Sequence, residues 1–105
     1  MNKKFIAFLS LLMLCVACIF AKELTGVKVR FSDTQLEITT NQTLHNVRFR
    51  LNGDYTYKVK TLSPGTYTVG LATFTDTKGN RFNPFSIRVQ RVSIFCSEGS
   101  TYFLP

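Results

Sequence analysis

Alternation of apolar and polar residues runs through the chain from residue 27 onward and restricts it to half-buried β-strands. Val27, Val29 and Phe31 alternate with Lys28 and Arg30, and Val47, Phe49 and Leu51 alternate with Arg48 and Arg50. Tyr55, Tyr57 and Val59 alternate with Thr56, Lys58 and Lys60, and the pattern returns at Leu36/Ile38, Tyr67/Val69/Leu71 and Ile87/Val89. Successive side chains of a strand point to opposite faces, so each run buries one face and wets the other. No window beyond residue 21 carries a convincing 3.6-residue period, which predicts little or no helix.

Turn chemistry divides these runs. Asn52-Gly53 is a strong hairpin signal, Ser63-Pro64-Gly65 a tight turn, and Asp76 to Asn80 a loop in which Gly79 supplies positive φ. A two-residue turn at Asn52-Gly53 would pair Leu51 with Asp54 and place Lys58 on the face of Val47 and Phe49. Burial of the whole apolar face outweighs one turn preference, which predicts a three-residue loop or bulge at 52–54, with Tyr55 opposite Leu51 and Tyr57 opposite Phe49. The apolar phase shifts from Ile87/Val89 to Val92/Ile94, which predicts a β-bulge or strand break at Gln90-Arg91.

About seven short strands in two packed sheets follow: an all-β, immunoglobulin-like antiparallel sandwich, with a small barrel of the oligonucleotide-binding type as the alternative. The expected core is Val27, Val29, Phe31, Leu36, Ile38, Val47, Phe49, Leu51, Tyr57, Val69, Leu71, Phe74, Ile87, Val89, Val92 and Ile94.

Residues 1–21 read differently. Lys3 and Lys4 precede the uncharged run Phe5 to Leu14, small residues follow at Ala17 and Ala21, and the next charges are Lys22 and Glu23. That is the pattern of a secretory signal peptide, with a retained membrane anchor as the alternative. Two processing sites compete. Leu14-Cys15-Val16-Ala17-Cys18 looks like a bacterial lipobox, which would cut near 17/18 and lipidate Cys18, whereas Ile19-Phe20-Ala21 suits cleavage near 21/22. Residues 22–105 then form the β domain, expected to be exported to the bacterial cell envelope, lipid-anchored or periplasmic, or secreted.

The chain carries 13 basic and 6 acidic residues, and without Lys3 and Lys4 the balance is 11 against 6, or +5. For an exported protein this charge favours an anionic envelope component or a protein partner, and nucleic acid is not expected. The membrane enters only through the lipid anchor. The basic residues are spread along the chain, which reads as a solvated face. Phe49 is expected to point inward while Arg48 and Arg50 point outward, so the aromatics read as core.

Cys96 is the one cysteine beyond residue 21, so no disulfide forms within the domain. Following Ile94 at strand spacing, it reads as a small buried apolar residue, with intermolecular pairing as the alternative. His45, the single histidine, lies two residues before Val47 and is expected partly buried on the inward face. A Cys96–His45 dyad lacks any activating signature. One histidine and one cysteine do not assemble an ordinary zinc site, and Lys78 interrupts a calcium reading of the loop 76–80, leaving a turn stabilised by Asp76. No catalytic residue, cofactor or metal is assigned. Asn41-Gln42-Thr43 is a glycosylation sequon, relevant only in a eukaryotic host.

From Leu36 to Pro84 an ordered set of features stands out: Asn41-Gln42-Thr43, Asn46-Val47-Arg48-Phe49-Arg50-Leu51-Asn52-Gly53 with Tyr55, Leu62-Ser63-Pro64-Gly65, Phe74-Thr75-Asp76, and Gly79-Asn80-Arg81-Phe82. In this it resembles a widespread kind of small bacterial exported domain, mostly uncharacterised. The resemblance implies a β-sandwich in the cell envelope, often tethered, and no known activity. The expectation is a non-enzymatic binding or structural module, a small lipoprotein or periplasmic protein. The alternative is a secreted effector or inhibitor acting on a host or competitor molecule. Arg81, Phe82 and Phe85 are the expected interaction surface, since an Arg among aromatics suits an interface; filling the end of the sandwich is the other role open to both Phe side chains.

Overall fold

A computed structural model describes residues 22–105, and the apolar segment with Cys18 lies outside them. The seven strands are β1 (Val27–Phe31), β2 (Gln35–Thr40), β3 (Leu44–Leu51), β4 (Tyr55–Leu62), β5 (Gly65–Gly70), β6 (Val92–Cys96) and β7 (Gly99–Phe103). They form two antiparallel sheets, ordered β1-β2-β5 and β4-β3-β6-β7. This is an immunoglobulin-like sandwich, and among the described residues the only helical element is a 3₁₀ turn at Leu71–Thr73.

The β3–β4 hairpin carries the register expected from its apolar face. Leu51 pairs with Tyr55, Phe49 with Tyr57 and Val47 with Val59, around a three-residue loop at 52–54. Asn52 and Gly53 both take left-handed φ values, 55° and 80°, and Asp54 N–H closes the turn on Leu51 O at 3.2 Å. Asn and Gly are the residues that enter this region at least cost.

At its other end the hairpin departs from simple alternation. Leu44 and Leu62 are buried opposite one another, yet they stand three residues from Val47 and Val59 rather than an even number. The inward phase switches at Asn46, which has φ 55° and no partner in the ladder. His45 is consequently turned outward, with its side chain 54% exposed, correcting the expectation of a partly buried residue. The same switch brings Leu44 and Leu62 into the core, where alternation alone did not place them.

The sheets close over Leu36 and Ile38 of β2 and Val47, Phe49, Leu51, Val92 and Ile94 of β3 and β6. Val27, Val29, Phe31, Tyr57 and Val69 pack around them half-buried. The β4–β5 crossover is held by Tyr67, whose hydroxyl donates to Ser63 O at 2.8 Å. Beyond β5 the chain covers one edge of the larger sheet. Thr75 exchanges two backbone bonds with Thr56 of β4, and Phe74 and Phe82 insert beneath, in contact with Tyr57 and Tyr55. The opposite edge is covered by Lys22 to Leu24, which lie parallel to β7. Leu24 N–H donates to Ser100 O at 2.8 Å and Ser100 N–H to Lys22 O at 3.2 Å. Gly99, with φ 146°, permits this approach, because a Cβ there would meet Lys22 O at 3.1 Å. Covered edges resist pairing with other chains.

Residues 84–91 correct a further expectation. Ile87 and Val89 pack half-buried against the core, but they belong to no strand, and β6 begins only at Val92. The break at 90–91 is therefore a strand start. Asn52 supplies the polar partners that a ladder would otherwise provide. Its Oδ1 accepts Gln90 N–H at 2.6 Å and Arg91 N–H at 3.2 Å, and its Nδ2 donates to Arg88 O at 2.8 Å. Each such bond contributes on the order of 1 kcal/mol net. Asn52→Gly keeps the left-handed conformation and loses these bonds, so it is expected to destabilise by about 1–3 kcal/mol in urea unfolding. Asn52→Ala adds the left-handed penalty of roughly 1–2 kcal/mol. Equal stability of the two variants would show that the backbone conformation at Asn52 contributes nothing.

Candidate functional site

The two sheets present different outer faces. That of β1-β2-β5 is mixed and largely neutral: Arg30 faces Glu37 at 3.6 Å, and the hydroxyls of Thr39 and Thr66 bond at 3.1 Å. That of β4-β3-β6-β7 is basic and aromatic. Inward burial of Val47, Phe49 and Leu51 turns Arg48 and Arg50 outward, and inward Val92 and Ile94 turn Ser93 and Phe95 outward. Register then sets Lys58, Arg48, Phe95 and Ser100 in one row across the four strands, and Thr56, Arg50, Ser93 and Tyr102 in the next.

The cations use the aromatic rings as supports. Arg48 Cζ stands 5.1 Å and Arg50 Cζ 5.4 Å from the centre of the Phe95 ring, while Arg91 Cζ stands 5.5 Å from that of Tyr102. Contacts of this kind contribute about 0.5–1 kcal/mol each at exposed sites. Among the described residues none of these arginines has a carboxylate partner, and Arg48 Nε is buried without a hydrogen bond. Beside them a shallow groove of about 790 Å³ opens where Asn46 leaves the ladder, lined by Lys58, Lys60, Phe95 and Cys96. A second groove joins Phe95, Tyr102 and Arg91 to Lys22 and Glu23 at the edge. The arrangement is a cationic surface whose guanidinium groups lie over aromatic rings.

The sequence-predicted surface residues are not gathered. Phe82 is 1% exposed and sits edge-on to Tyr55 at 5.1 Å, so it belongs to the core and not to an interface. Phe85 is 88% exposed and lines a separate groove with Phe31, Pro84 and Val89. Arg81 is exposed on the loop that covers the β4 edge. Cys18 lies outside the described residues. Phe95 and Tyr102 were missed, although one signal was present: the inward phase of Val92 and Ile94 leaves Phe95 on the wet face.

The remaining polar groups are engaged locally. Cys96 Sγ donates to Gly99 O at 3.3 Å, and burial pushes the thiol pKa above its ordinary value, which opposes thiolate formation. The Asp76 carboxylate accepts Lys78 N–H and Asn80 N–H at 2.9 and 2.8 Å, as expected of a loop-stabilising turn. These bonds, led by that from Asn80 N–H, hold its pKa below the ordinary carboxylate range. His45 engages Glu98 twice, its backbone N–H meeting Oε1 at 2.8 Å and its Nδ1 lying 2.7 Å from Oε2. No protein-family model, curated protein or solved structure matches the chain.

The hydrogen bond from the His45 side chain, followed by that from its N–H, holds the Glu98 pKa below its ordinary value of 4.5. A carboxylate whose pKa falls on folding contributes stability in full above that ordinary value and loses it as the pH drops through the lower folded value. Glu98→Gln is therefore expected to lower the urea midpoint at neutral pH, with the difference from the parent shrinking below pH 4.5. A difference that stays constant into strong acid would remove Glu98 as its source.

Proposed function

We propose that the chain is an exported, non-enzymatic binding module of the cell envelope, and that it holds an anionic partner on the outer face of β4-β3-β6-β7. The observation that carries this reading is the set of arginines Arg48, Arg50 and Arg91, without a carboxylate partner among the described residues and braced on Phe95 and Tyr102. Guanidinium groups braced on rings lose less freedom when they engage carboxylate, phosphate or sulfate, and they match the paired oxygens of such groups. The N-terminal pattern of Lys3-Lys4, an apolar run and small residues supports export. Non-enzymatic action accords with the state of Cys96, whose thiol donates to Gly99 O and is held above its ordinary pKa by burial, the opposite of an activated nucleophile.

Binding to a dextran sulfate matrix tests the face against net charge. Arg48→Glu with Arg50→Glu is expected to release the protein at markedly lower salt than the parent. Lys28→Glu with Arg88→Glu makes the same change in net charge away from this face, and is expected to shift elution far less. Equal shifts for the two double variants would reduce the attraction to overall charge and sink the proposal.

A further inference from the structure

The cationic face and the start of the described chain meet at one edge. Lys22 and Glu23 line the same groove as Arg91, Phe95 and Tyr102, and they are fixed there by the backbone bonds to Ser100 and by burial of Leu24. The uncharged segment 5–21 joins directly at Lys22. A residue of extended chain spans at most about 3.6 Å, so whatever part of residues 18–21 enters a membrane does so within roughly 14 Å of Lys22. A domain attached at that point has the β7 edge of the larger sheet nearest the headgroups, and the cationic face borders that edge.

The geometry points to an anionic lipid surface as the partner of the β4-β3-β6-β7 face, which lies against the headgroups of the membrane that the N-terminal segment engages. This rests on the anionic-partner reading and names its occupant. Charge and ring placement both favour lipid. Basic side chains near an anionic bilayer each add about fivefold to the partition, and one apolar attachment gains stable anchoring when a basic patch joins it. Tyr102, 59% exposed, is the kind of amphipathic ring that settles at headgroup level. A single-stranded nucleic acid would instead require bare ring faces for its bases, whereas the Phe95 ring already carries Arg48 and Arg50.

The protein contains no tryptophan, so Tyr102→Trp and Phe85→Trp in the full chain are single reporters. The probes are vesicles of equal parts phosphatidylglycerol and phosphatidylcholine, vesicles of phosphatidylcholine alone, dextran sulfate, and a single-stranded oligonucleotide. The Tyr102→Trp emission is expected to move to shorter wavelength with the anionic vesicles and not with the neutral ones, while that of Phe85→Trp stays unchanged. Adding Arg48→Gln and Arg50→Gln raises the lipid needed for half the shift about fivefold per charge. Lys58→Gln with Lys60→Gln, both on the exposed side of β4, does the same if the arginine variant fails to fold. A response to dextran sulfate or the oligonucleotide without one to anionic vesicles overturns the membrane inference and leaves the anionic-partner reading standing. Silence toward all four probes overturns both. A shift of Phe85→Trp in place of Tyr102→Trp places the contact on the wrong loop and overturns the inference.

Discussion

Everything on the larger sheet depends on burying one face of the β3–β4 hairpin. Val47, Phe49 and Leu51 are each almost wholly excluded from water, and Tyr55, Tyr57 and Val59 oppose them. A shift of one residue would exchange that row for Arg48, Arg50 and Lys58, so the register has no competitor. Packing the core and assembling the cationic surface are consequently one event. The arginines stand together because the apolar residues between them have a single place to go.

The strand order, the hairpin loop and the inward row of β3 are legible in the sequence because each depends on alternation and on turn residues close in the chain. What escaped it depends on side chains bonding to distant backbone. Ile87 and Val89 alternate like a strand, yet Asn52 supplies the polar partners of that segment from 36 to 39 residues away. Asn46 reverses the phase of β3 by adopting a left-handed conformation that Asn merely tolerates, so neither the exposure of His45 nor the burial of Leu44 shows in the pattern. The surface was hidden for a related reason. Arg48 and Phe95 become neighbours only through the pairing of β3 with β6. Phe82 stands beside Arg81 in the chain, yet it closes the sandwich against Tyr55.

A patch of like charge costs something in self-repulsion, and the fold offsets it with rings, while Glu23 lines only the groove at its edge. Two guanidinium groups share the Phe95 ring and a third lies on Tyr102, so the cations are stabilised by ring quadrupoles that leave their hydrogen-bond donors largely free. Carboxylates in the same positions would have neutralised the surface. Those of Asp76 and Glu98 are held elsewhere, by Asn80 and by His45.

The bonding of Lys22 and Leu24 to Ser100 also bears on when the protein can fold. The first described residues pair with the last strand, 76 to 78 residues away, and β3 reaches β6 across 41 to 47 residues. Contacts so remote in sequence demand that a large loop be closed before they contribute, which slows folding. Until β7 has been synthesised, Leu24 lacks the strand it bonds to and one edge of the larger sheet lacks its partner. The sandwich therefore closes late, once both ends of the described chain are present together.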